Sequence, residues 1–403
     1  MRLVSTHLPH LTHPQSLTLT LWVTGIVIGR YVGLHLLSTL MAFLMERSVN
    51  ATRAQLHEWY LDAKDKRGAK QGQKRREIAV TTCFAPLMRW VVSLFPDAVK
   101  ELQVAMDASS LGQRFTVLSI HVVIRGCAIP VAWKIVCATA KGAWRPHWEA
   151  LFKHLEGSVP SEWKVIVMAD RGLYAKWLYD TIVGIGWHPY LRINRQGKYR
   201  PIDEQEFKGL STAVTKDGPG WKGRVVCFAT KERQVTCTLL ARWDSPYTDP
   251  WLILTDLAPD EADVAWYRLR AWIECSYKDM KRGGWHWEQT RMTDPARAER
   301  IWLAMAVATL LVVSMGIHDE VTTPEPNREH LSPKHIAHQR KSDDDTPQPR
   351  RISCFQRGRL LFVVALIHGR DLPPMALVPE PLPKSLDTSD AAPSAAPPHQ
   401  KAA

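Results

Sequence analysis

The sequence predicts an α/β protein: a mixed sheet with flanking helices, interrupted by a small β-rich insertion and preceded by a helical N-terminal region. Three observations carry this. Apolar runs rich in β-branched residues alternate with amphipathic helical stretches between about residues 101 and 195. A second group of short strand-like runs, separated by Gly, Pro and Asp clusters, fills about 196–258. A chain of 403 residues, 45% hydrophobic and with 17 Trp, can bury cores for more than one domain.

Residues 1–100 are predicted to be helical. Positions 17–46 are apolar and mostly unbroken, and Asn50 is placed to cap the next helix, "ATRAQLHEWYLDAKD". Strands begin near residue 101. "ELQVAMDASS" is predicted to end an apolar strand at Asp107, and "RFTVLSIHVVI" and "CAIPVAWKIVCA" are joined by a turn at Arg125-Gly126. "RPHWEALFKHLEGSVP" is helical, "WKVIVMAD" is a buried strand ending at Asp170, "YAKWLYDTIVGIG" is helical, and "HPYLRIN" is again a strand. Three strands, helix, strand, helix, strand is the order of an RNase H-like sheet.

In the insertion, "GRVVCFAT", "QVTCTLLARW" and "PWLILTDL" read as strands. The expected organisation is a helical, partly basic region at 1–100, a catalytic core at 101–195, the insertion at 196–258, a second core segment at 259–318, and a polar linker, short apolar helix and tail at 319–403. The composition of "DTSDAAPSAAPPHQKAA" supplies no core, so a disordered tail is expected.

Net charge is +12, from 52 Lys+Arg against 40 Asp+Glu, which favours a polyanionic partner such as nucleic acid. Seven of the cations lie in "KDKRGAKQGQKRR", residues 64–76, which reads either as a phosphate-contacting loop or as a solvated one. Seven scattered cysteines without a Cys-x-x-Cys pair read as buried thiols of a reducing cytoplasm. His330, His335 and His338 lie in a Pro-rich stretch with no cysteine partner and read as a solvated linker rather than a zinc site. The apolar runs 17–29 and 301–317 are short or marginal for a membrane span; the second follows Asp294 and Pro295, a cap and first turn, and reads as a core helix.

Asp107 and Asp170 at strand ends, with Glu274 on a late helix, form the acidic trio that would hold two divalent cations, Mg²⁺ or Mn²⁺, for in-line phosphoryl transfer. If residues 266–281, "WYRLRAWIECSYKDMK", form one α-helix, then Tyr267, Arg270, Glu274 and Lys281 project within about 60° of one another. One aromatic, two cations and a carboxylate would then share a face. A solvated face with an Arg270–Glu274 pair accounts for only part of this pattern.

The spacing Tyr267-x2-Arg270-x3-Glu274-x6-Lys281 resembles the YREK signature of DDE transposases of the insertion-sequence-four family, bacterial mobile-element enzymes. "DRGLY", with Asp170, Gly172 and Tyr174, is similar to that family's second-aspartate motif, and "AMDASS" to its first. The resemblance covers about residues 100–317 and includes a β insertion before the glutamate. It implies that Asp107, Asp170 and Glu274 are catalytic metal ligands, and that Tyr267, Arg270 and Lys281 contact DNA backbone phosphates. It further implies cut-and-paste transposition through a DNA hairpin by a homodimer on paired transposon ends, in the cytoplasm at the nucleoid and away from membranes. In hairpin-forming relatives a tryptophan opening a similar strand receives a flipped base, a part that falls here to Trp251 of "WLILT", whose other reading is a core residue. The basic N-terminal region is compatible with an end-binding domain. A metal-dependent nuclease with the same core, or a non-catalytic DNA-binding descendant, are the alternatives; inverted repeats flanking the gene favour the transposase.

Overall fold

A computed structural model of the chain describes residues 1–68, 76–140, 142, 144–323 and 352–385. More than half of the basic stretch 64–76, the histidine-containing linker and the whole of the tail "DTSDAAPSAAPPHQKAA" lie outside the described residues. Two compact units divide the chain: Met1–Lys164 with Leu269–Glu380, and Val165–Arg268 with the described residues from Pro381 onward.

The first unit begins with helices α1 (Arg2–His7), α2 (His13–Gly29), α3 (Leu34–Leu44), α4 (Val49–Tyr60) and α5 (Phe84–Val92). The predicted unbroken stretch 17–46 is in fact two helices bent by 99°. Arg30 takes a left-handed conformation at the end of α2 (φ 52°), which stops the helix. Ser48, not Asn50, precedes α4 as its N-cap residue.

Three antiparallel strands follow: β1 (Glu101–Leu111), β2 (Phe115–Ile124) and β3 (Cys127–Cys137). Arg125 and Gly126 both have positive φ, 46° and 76°, as a tight two-residue hairpin requires. Asp107 corrects the strand-end expectation. It sits inside β1 opposite Ser119, because "DASSL" goes on pairing with β2 as far as Leu111↔Phe115. The polar residues Asp107–Ser110 mark a strand end by local pattern; the cross-strand ladder outweighs it. The register of β2 on β3 shifts between Ile120 and His121, where β3 carries Pro130, which has no N–H for the ladder.

Helix α6 (Arg145–Leu155) leads to the end of this unit's first segment. Its second segment holds α8 (Trp272–Met280), α9 (Pro295–Thr322) and α10 (Cys354–Ile367). As the sequence predicts, Asp294 caps α9 by accepting from the Arg297 N–H at 3.0 Å, and Pro295 opens the first turn. Within α9 the apolar run is almost wholly buried, and α9 is the one helix among the described residues that by itself has the length and apolarity of a membrane span. Arg300, itself buried, ties α9 to the N-terminal helices by donating to Asp62 at 2.9 Å and to the Tyr60 carbonyl at 2.7 Å. Helices α9 and α10 cross at two glycines. A Cβ on Gly316 would stand 1.9 Å from the Cys354 carbonyl oxygen, and one on Gly358 1.7 Å from that of Val312, so no larger residue fits either place.

The second unit holds β4 (Lys164–Ala169, starting at the boundary residue), α7 (Lys176–Gly184), β5 (His188–Arg192), β6 (Lys198–Pro201), β7 (Lys208–Gly209), β8 (Trp221–Cys227), β9 (Val235–Arg242) and β10 (Trp251–Thr255). Strands β4 and β5 are parallel, whereas β10 pairs antiparallel with both β5 and β9. Strands of the insertion therefore extend the core ladder through β10, and the short β6 and β7, not foreseen in the sequence, pair with each other. An antiparallel trio, helix, strand, helix and parallel strand give the chain its RNase H-like α/β fold.

Candidate active site

In the first unit the site is built on β1 and α8. Asp107 leaves β1 with its carboxylate against Arg270, whose Nη2 donates to Oδ2 at 2.5 Å. The other terminal nitrogen of Arg270 donates to Glu274 Oε1 at 2.9 Å, one turn along. A solvated helical face explains the second contact but not the first, which joins residues 163 positions apart. Lys281 donates to Ser109 Oγ at 2.8 Å and to the Ser110 carbonyl at 2.9 Å, so its ammonium lies against the same strand. Burial lowers the Lys281 pKa, with Glu288 opposing.

The single-helix expectation for residues 266–281 is corrected. Val264–Ala271 is a 3-10 segment, α8 starts only at Trp272, and Lys281 is a non-helical cap residue with ψ −135°. With three residues per turn before Ala271, angles counted at about 100° per residue do not apply to Tyr267 and Arg270. Arg270 and Glu274 meet nonetheless, while Tyr267 belongs to the second unit.

Beneath Asp107 runs a buried polar chain that the sequence reading missed. Tyr277 donates its hydroxyl to the Asp107 carbonyl at 2.8 Å. Because that proton is committed, Ser119 Oγ donates to the Tyr277 oxygen at 2.8 Å, and His121 Nε2–H donates to Ser119 at 2.8 Å. The polarity follows from the carbonyl, which only accepts, and it assigns His121 as the neutral Nε2–H tautomer. Burial agrees, pushing the His121 pKa down to about 3. Ser119-x-His121 on an otherwise apolar strand was the available signal, since buried polar groups require partners.

In the second unit Asp170 follows β4 directly, as predicted. Its Oδ1 accepts from the Arg171 N–H at 2.8 Å and from the Tyr267 hydroxyl at 3.2 Å, and Arg192 lies 3.7 Å away. Tyr267 is only 5% exposed. Its ring meets Trp251 edge-on at 5.4 Å, and Trp251 in turn packs against Tyr247 at 5.1 Å. Trp251 is thus half-buried at the start of β10, in a row of three aromatic rings. Beside them Arg171 and Arg195 line a cavity of about 360 Å³ with Asp249 and Pro250. Arg171 pairs with Asp249 at 2.8 Å, which lowers the Asp249 pKa.

Among the described residues no three His, Cys, Asp or Glu side chains are grouped as a ready metal site. The donor chemistry nevertheless suits a hard divalent cation: Asp107 and Glu274 present two carboxylates, joined here by the Arg270 guanidinium. Six of the seven cysteines are buried or half-buried thiols; Cys137, at the end of β3, is exposed, contrary to expectation.

An RNase H-like fold with paired carboxylates held by cations on a strand and a late helix defines a nucleic-acid phosphoryl-transfer enzyme. The family model for the transposase DDE domain matches residues 100–311, more than half of the chain, and the chain belongs to that family. Its substrate is DNA. A comparison with curated proteins finds no match.

Proposed function

We propose that this transposase is of the insertion-sequence-four type and moves its element by cut-and-paste through a hairpin. The observation that carries this reading is the link from Asp107 through Arg270 to Glu274, made by residues that follow the YREK spacing. Asp107, Asp170 and Glu274 would hold two Mg²⁺ or Mn²⁺ ions, which when bound supply charge stabilisation for the attacking and leaving oxygens. Lys281 and Arg270 bind backbone phosphates and fix the scissile strand. Tyr267 orients Asp170, and Trp251 receives an unstacked base. Water breaks a P–O bond at the element's end to leave a 3′-OH and a 5′-phosphate. That hydroxyl then attacks the opposite strand, displacing the flanking DNA and closing a hairpin. A homodimer on paired ends, end binding by residues 1–100, and a cytoplasmic, nucleoid-bound enzyme without membrane contact belong to the same reading.

The test uses a duplex bearing the inverted repeat read from DNA flanking the gene, with Mg²⁺. Nicked and hairpin products are expected from the wild type, and neither from Asp107→Asn, Asp170→Asn or Glu274→Gln, all of which should keep end binding because these carboxylates do not grip phosphate. Nicking without any hairpin or strand transfer would instead favour a nuclease, and cleavage by Glu274→Gln would sink the site assignment.

A further inference from the structure

Arg270 holds Asp107 with one terminal nitrogen and Glu274 with the other, at 2.5 and 2.9 Å. Its side chain is 13% exposed, against 22% for Asp107 and 62% for Glu274. Half-buried Asp107 and exposed Glu274 are brought to the two prongs of one guanidinium, and carboxylates that close repel unless a cation stands between them. A guanidinium suits that place, because its planar fork satisfies both carboxylates at once and it stays charged at every physiological pH. The carboxylates it holds are two of the three that would bind metal. Guanidinium and divalent cation would therefore compete for the carboxylates of Asp107 and Glu274.

We propose that Arg270 is the counter-ion of the metal-free site, and that it yields Asp107 and Glu274 to a divalent cation when a DNA phosphate takes over its guanidinium. This rests on the reading of both carboxylates as metal ligands. The exchange keeps every charge paired, because a phosphate accepts the same two-pronged donation as a carboxylate. Lys281, held against Ser109 and Ser110 of the strand that carries Asp107, supplies a second cation beside that place for the same DNA backbone. The consequence is thermodynamic coupling: DNA raises metal affinity, and metal raises DNA affinity by the same factor. An enzyme without DNA then stays poorly loaded with metal.

The experiment measures Mn²⁺ binding by the electron paramagnetic resonance of unbound Mn²⁺, on the full chain with and without an excess of duplex DNA. Without DNA, Arg270→Gln should bind Mn²⁺ about ten-fold or more tightly than the wild type, since one neighbouring positive charge is removed. DNA should tighten Mn²⁺ binding to the wild type but no longer to Arg270→Gln. Arg270→Lys, which keeps the charge but not the fork, should fall between. Thermal unfolding guards against a folding defect: Mn²⁺ should raise the Tm of Arg270→Gln more than that of the wild type. An unchanged or weaker Mn²⁺ affinity in Arg270→Gln, while Asp107→Asn still lowers affinity, would overturn the counter-ion role and leave the metal reading intact. If Asp107→Asn and Glu274→Gln both left Mn²⁺ binding unaltered, the metal reading itself would fall, and this proposal with it.

Discussion

Tyr267 is buried and gives its hydroxyl to Asp170 at 3.2 Å, so the tyrosine of the YREK spacing positions a carboxylate in this structure. The expectation from resemblance is a contact to DNA phosphate. Tyr267→Phe keeps the ring against Trp251 and removes only the donor. A hydrogen bond to a charged acceptor contributes about 1.5–3 kcal/mol, so cleavage should fall about ten-fold or more. DNA affinity and its salt slope should stay as in the wild type. A reduced salt slope with normal single-turnover cleavage of bound DNA would return Tyr267 to the phosphate role.

Tyr277→Phe tests the buried chain under Asp107. The substitution leaves the Asp107 carbonyl and the Ser119 hydroxyl without their partner in a dry environment, at a cost of about 1–3 kcal/mol. The urea midpoint should drop and cleavage should fall with it, because Tyr277 joins α8, which carries Glu274, to the strand that carries Asp107. Ser119→Ala breaks the same chain, so the double variant should lose less than the two single losses added together. Strict additivity would show that the two hydroxyls act independently.

Stability should depend on acid through His121. Burial holds its folded pKa at about 3, below the ordinary histidine value of 6.5, so between these values the unfolded chain binds the extra proton. The stabilisation is complete above about pH 6.5 and is lost as pH falls toward 3, at up to about 1.4 kcal/mol per pH unit for one proton. Denaturant midpoints taken from pH 7.5 down to 4 should fall more steeply for the wild type than for His121→Gln. Equal slopes would mean that His121 is not held neutral.

Trp251 presents a partly open indole between Tyr247 and Tyr267. Stacking of a displaced base is worth roughly 1–3 kcal/mol, so Trp251→Ala should impair hairpin closure about ten-fold or more and leave nicking nearer to normal. Trp251→Phe, which still packs on Tyr267, should recover part of the loss. Parallel losses in both steps would make the ring a support for Tyr267 and nothing more.

Where the sequence was legible, local chemistry decided the outcome. Asp170 closes an apolar run, Arg125-Gly126 is a hairpin turn, and Asp294-Pro295 starts a helix, each for reasons contained within a few residues. Where it misled, the deciding partner was distant. Asp107 lies inside β1 because Phe115 to Ser119 pair with the residues around and beyond it. The change from 3-10 to α-helix at Ala271–Trp272 is invisible to a periodicity that differs by only about 20° per residue over so short a run. Tyr277, Ser119 and His121 converge across 158 positions of sequence, and no spacing rule foretells that. The Arg270–Glu274 pair could be read directly; its third partner, Asp107, could not.

The glycine crossing of α9 and α10 sets an order of events in synthesis. A ribosome releases α9 first, an apolar rod with the length and hydropathy of a membrane span. Its cover includes α10, which follows it in the chain, and the two backbones approach at Gly316 and Gly358 as no larger side chains would permit. A message truncated between them therefore produces a chain with an exposed apolar helix, open to aggregation or misdirected insertion, rather than a shortened transposase. Helix α10 is thus a checkpoint on whether a truncated chain yields a folded product at all.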